Sequence, residues 1–100
     1  MLWIVSYDLK KINEEKLMEM KAVVEEARSQ GVKVAFISSS PKQTVEEVQN
    51  RTGFYFPYYI CDAIELKIVV RSNPGMVYLE SGVVKGKWDY NRIPEYKDLK

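Results

Sequence analysis

One hundred residues, 46% hydrophobic and 29% charged, fit one globular domain with one core, not a disordered chain or a membrane protein. Fifteen basic and fourteen acidic residues nearly cancel and are interspersed, so the electrostatic footprint of a nucleic-acid binder is missing. With no histidine and a single cysteine, Cys61, the chain lacks the commonest general base and metal ligand, the Ser-His and Cys-His pairings, and any intramolecular disulfide.

Residues 2–7 form an almost continuous apolar run, the pattern of a strand covered on both faces. This abrupt start reads as a domain cut from a longer protein. Asn13 is a good N-cap, with Glu14 and Glu15 placed to favour the positive end of a helix dipole. Leu17, Met20, Val24 and Ala27 then recur at helical spacing, widened by Val23, and Gly31 suits the C′ position. Residues 32–37 alternate as a second strand, closed by Ser38, Ser39 and Ser40. Ser40-Pro41-Lys42-Gln43 carries a capping box and an N1 proline, predicting a helix through Val45 and Val48 to Gly53.

Residues 54–60 are aromatic and contain Pro57, which makes them a loop or a short edge strand. Asp62-Ala63-Ile64-Glu65 is a second capping box, and Leu66, Val69 and Val70 predict a third helix. The β-branched run Ile68-Val69-Val70 suits a strand equally well on propensity. Residues 76–80 and 83–87, two residues apart across Ser81-Gly82, read as a β-hairpin. Residues 89–100 are polar, include Pro94 and have no helical stripe. Trp3 and Trp88 read as core residues on adjacent strands. The expected fold is α/β: a βαβ unit with a right-handed crossover plus a C-terminal hairpin. That gives a mixed four-stranded sheet with three helices covering its two faces.

This order, with Asn73-Pro74-Gly75 just before the hairpin and Lys87-Trp88 at its end, resembles the thioredoxin-like fold. Pro74 looks like that family's cis-proline, the hairpin like its penultimate and last strands, and Ser81-Gly82 like the turn between them. Phe56-Pro57-Tyr58-Tyr59 with Asp62 also looks like the peroxiredoxin and TlpA-like branches. A closer similarity is to the C-terminal domain attached to DoxX-like (DoxD-like) bacterial membrane proteins of the Bacteroides type. There a stretch D-x-x-x-L-K-x-x-x-R-S-N-P-G precedes the hairpin and K-W follows it. Asp62, Leu66, Lys67, Arg71, Ser72, Asn73, Pro74 and Gly75 stand in that spacing here. The resemblance implies a module of a membrane-anchored protein, partnered by the membrane domain of its own parent chain or by another protein.

The departure from thioredoxin decides the functional expectation. Active members place Cys-x-x-Cys between the first strand and its helix, where the helix N-terminus lowers a thiol pKa. Here that loop is Ser6-Tyr7-Asp8-Leu9-Lys10-Lys11, so dithiol exchange by the family mechanism is excluded. The resemblance points to Asn73 and Pro74 as binding residues, the backbone of residue 73 being left to pair with an extended peptide. Tyr7 and Asp8 join them because their loop lies at the carboxyl end of a parallel strand, where ligands bind in open α/β sheets. The plainer reading of Pro74 is a rigid turn that aims the hairpin.

Cys61 is either a thiol activated by the following helix, opposed by the negative charge of Asp62, or a small buried hydrophobe. Ser38, Ser39 and Ser40 are either an anion site at the end of a parallel strand or a cap with two solvated neighbours. Asp8 with Lys10 reads most simply as surface charge. Phe54, Tyr55, Phe56, Tyr58 and Tyr59 read as aromatics closing the core edge, with a partner or membrane contact as the alternative. No cofactor or metal site is expected. The expected function is a redox-inactive thioredoxin-like accessory or interaction domain. The alternatives are a monothiol redox enzyme using Cys61 and small-anion binding near Ser38 and Ser40.

Overall fold

The apolar run at the start of the chain becomes β1 (Leu2–Ser6), the middle strand of the sheet, and its neighbours explain its composition. A computed structural model of the chain describes residues 1–62 and 72–99. The remaining strands are β2 (Val34–Ser38), β3 (Tyr58–Ile60), β4 (Gly75–Glu80) and β5 (Val83–Trp88). They form one mixed five-stranded sheet in the order β3-β2-β1-β4-β5. β1 pairs parallel with β2 and antiparallel with β4, so Leu2 and Ile4 face one side and Val5 the other, all buried.

The expected four-stranded sheet is corrected by β3. This three-residue edge strand lies parallel to β2, with Tyr58 opposite Phe36. Pro57 does not prevent it. Its carbonyl accepts from the Phe36 N–H at 2.8 Å, and the strand proper begins one residue later, where an N–H is again available.

Two α-helices lie among the described residues: α1 (Glu14–Ser29) and α2 (Lys42–Thr52). The caps of α1 follow the sequence: Asn13 Oδ1 accepts from the Lys16 N–H at 3.1 Å, and Gly31 turns away with φ +89°. Gly53 closes α2 in the left-handed region at φ +73°. The capping box expected at Ser40 does not form, and Pro41 is the N-cap with no side-chain bond. The third helix expected over 62–70 falls almost wholly in a segment outside the described residues.

α1 and α2 cover the same face. Leu17, Met20, Val24, Val45 and Val48 pack with Leu2, Ile4, Phe36, Met76 and Tyr78 in one cluster. Two successive right-handed crossovers that both step outward, β1 to β2 and β2 to β3, place their helices on one side of a sheet. Val5, Ala35, Ile37 and Val77 form a second cluster on the opposite face, with Trp3 packed against it. Trp88 packs against the first cluster, and β4 separates its strand from that of Trp3. The expectation of two tryptophans on adjacent strands is therefore corrected: they lie on opposite faces. The polar tail also contributes to the core. Leu99, in a short 310 turn (Tyr96–Leu99), is buried, and Tyr90, Ile93 and Tyr96 pack beside it.

Candidate functional site

Tyr7, Asp8, Asn73 and Pro74 meet where β1 ends and β4 begins, because antiparallel pairing sets Val5 opposite Gly75. The Asn73–Pro74 peptide bond is cis, and the Pro74 side chain is fully buried. Asn73 is the hub. Its Oδ1 accepts from Ser6 Oγ at 2.5 Å and its Nδ2 donates to the Asp8 carbonyl at 2.6 Å. Its own carbonyl accepts from the Asn13 N–H at 3.1 Å, one residue before α1. One buried residue thus joins the end of β1, the following loop and the start of α1. Of the Asn73 backbone that the resemblance leaves to a peptide, the carbonyl is engaged within the chain.

The loop after β1 is a short 310 turn (Leu9–Lys11) capped by Asp8, whose Oδ1 accepts from the Lys10 N–H at 3.0 Å. Asp8 therefore meets the main chain of Lys10, a local Asx-type bond that defines the turn. Ser40 Oγ accepts from the Leu9 N–H at 3.0 Å, and Ser39 Oγ donates to the Tyr7 carbonyl. Ser38 Oγ accepts from the Ser40 N–H at 3.1 Å. Ser39 and Ser40 thus stitch the end of β2 to the loop after β1, Ser38 braces Ser40, and Ser38 and Ser40 are buried there.

A cleft of about 520 Å³ opens beside Asn73, walled by Tyr7, Lys11, Asn13, Asp89 and Tyr90. Ser72 ties its rim together: its Oγ donates to the Pro74 carbonyl at 2.7 Å and accepts from the Tyr90 N–H at 3.2 Å. The cleft offers one ammonium, one carboxylate, amides and two phenols, a set suited to orienting a polar ligand. Among the described residues, its lining holds no thiol, and no hydrogen bond pairs a nucleophile with a base there. Sequence reasoning did not find Asp89 and Tyr90. The available signal was topological: β5 runs antiparallel to β4, so the residues after Trp88 return to the end where β4 starts.

Cys61 is not part of this cleft. Its N–H donates to the Ser38 carbonyl at 2.8 Å, which places it just past β3. Three strand spacings of ~4.8 Å put it about 14 Å across the sheet from β4. It is half-buried against the cluster of Val5, Ile37 and Val77. The aromatic stretch divides in two. Phe54 and Phe56 are core, with Phe54 edge-on to Phe36 at 5.5 Å and to Phe56 at 4.6 Å, whereas Tyr55 and Tyr59 are about 60% exposed.

Among the described residues, no cluster of side chains could hold a metal ion, and no helix is long and apolar enough to cross a membrane. Compared with family models, curated proteins and solved structures, the chain has no match.

Proposed function

We propose that this chain is a redox-inactive thioredoxin-like module, an accessory or protein-interaction domain of a DoxX/DoxD-like membrane protein. The observation that carries the reading is the loop facing the cis Asn73–Pro74 step. Where a thioredoxin would present its thiols, residues 7–11 present a capped turn clamped by Asn73 and Ser40. The cleft beside it has the chemistry of a binding site and lacks that of an exchange site. The membrane context rests on the R-S-N-P-G and K-W motifs at residues 71–75 and 87–88.

Neither alternative function gains support from a particular observation. Cys61 is half-buried against Val5, Ile37 and Val77, and the hydroxyls of Ser38, Ser39 and Ser40 are committed to the chain itself. Alkylation kinetics test the redox half of the proposal. Cys61 is expected to react with iodoacetamide near pH 6 no faster than free cysteine, and a clear acceleration overturns the inactive assignment. The full reading frame tests the other half. About four apolar segments of ~20 residues are expected upstream of Leu2, and a frame without any sinks the membrane assignment.

A further inference from the structure

We infer that a notch at the β2–β3 edge, at the end of the sheet opposite the cleft, binds an extended acidic peptide. The notch arises from Pro57. β2 shows its even-numbered residues to β3: Phe36 donates to Pro57 and Ser38 accepts from Cys61. Val34 is next in that series, and the ladder would deliver the N–H of residue 57 to its carbonyl, but proline has none. Tyr55, which would accept from the Val34 N–H, instead turns back, its own N–H donating to Gly53. Among the described residues, Val34 therefore has no main-chain partner on this side. An open edge of this kind is a template for one more strand.

The space beside it, about 390 Å³, is walled by Val34, Phe56, Pro57 and Tyr59 and flanked by Arg28 and Lys33. Among the described residues, no carboxylate lines it. The Arg28 guanidinium sits 5.3 Å from the Phe56 ring centroid, which holds its charge over the apolar floor. An occupant that satisfies all three features has an extended backbone for Val34, an apolar side chain for the aromatic wall, and a carboxylate for the two cations. That describes a peptide alternating acidic and apolar residues. An anionic membrane surface would use the cations and Tyr59 but leave the Val34 main chain unsatisfied, so the peptide is the better fit. The inference is independent of the cleft, and its failure leaves the reading of that site untouched.

The test is titration of 15N-labelled protein with a hexapeptide alternating glutamate and valine, against its lysine–valine counterpart. Amide shifts confined to residues 32–36, 56, 58 and 59 are expected with the glutamate peptide alone. Arg28→Glu with Lys33→Glu is expected to weaken binding at least tenfold while leaving the circular dichroism spectrum unchanged. N-methylation of one alternate set of peptide amides is expected to abolish binding, and methylation of the other set to spare it. Equal binding of the two peptides overturns the inference, as do shifts centred on Asn73 or indifference to both methylated sets. Self-association that occludes residues 56–59, or sedimentation with phosphatidylserine vesicles but no peptide binding, overturns it in favour of those occupants.

Discussion

At the scale of single residues, Asn73 carries more of the site than any other side chain. The Asn-Pro step is legible in the sequence as a turn, but the function of the asparagine is not. Its partners Ser6 and Asp8 lie 67 and 65 residues away along the chain, and no local rule links them. Ser40 shows the same limit from the other side. Its spacing to Gln43 satisfies a capping box, yet the hydroxyl bonds Leu9, 31 residues distant, because a tertiary partner outcompetes the local one. Replacing Asn73 by alanine removes both side-chain bonds and leaves a buried hydroxyl and a carbonyl to find new partners. The expected cost is about 2 kcal/mol, at 1–3 for each unsatisfied buried group with some relief from water entering the cleft. For a domain of this size that is a fall in Tm of roughly 10 °C. Thermal unfolding followed by circular dichroism checks it, and an unchanged Tm would mean that the hub contributes nothing.

At the scale of elements, the hairpin was the most legible part of the chain. Ser81 and Gly82 both take positive φ, 53° and 79°, as a type I′ turn requires, and Glu80 pairs with Val83 across it. Its irregularity was not legible. Tyr78 faces Gly86 while Leu79 faces Val84, so Lys85 is an extra residue in β5. Gly86 sits beneath the indole of Trp88, where an added Cβ would lie 2.7 Å from Cζ2 of the ring. Gly86→Ala must therefore lift the ring off the strand. The expected result is a loss of about 1–2 kcal/mol, in the range of overpacking changes. In a Trp3→Phe background it should also red-shift the emission of the remaining tryptophan. Unaltered emission and stability together would refute the covering role of Trp88. β3 escaped detection as a definite strand for a different reason: three residues following a proline are too short to display a period.

At the scale of the whole molecule, the tail beyond β5 decides how the helical layer closes. The stepwise crossovers β1-α1-β2-α2-β3 place both described helices on one face. The outer flank of α1 then needs a cover, which the 310 turn Tyr96–Leu99 supplies. The sequence carries a signal for this in Tyr90, Ile93, Tyr96 and Leu99, an apolar residue at every third position. A search for the 3.6-residue period passes over it, although three is the repeat of both 310 and polyproline geometry. Leu99 is 4% exposed, so its truncation to alanine should cost about 2–3 kcal/mol, near the low end for a buried leucine because the tail can shift to fill the gap. Ending the chain at Arg92 removes Ile93 and Tyr96 as well, and the expected loss rises to about 3–5 kcal/mol, offset in part by the entropy the tail no longer forfeits. Against a typical domain stability of about 5–15 kcal/mol, such a chain is left marginal. Urea unfolding measures the effect as a lowered midpoint for both variants, larger for the shortened chain. A shortened chain that unfolds at the full-length midpoint would show the tail to be an appendage, with the α1 flank stable in water without it.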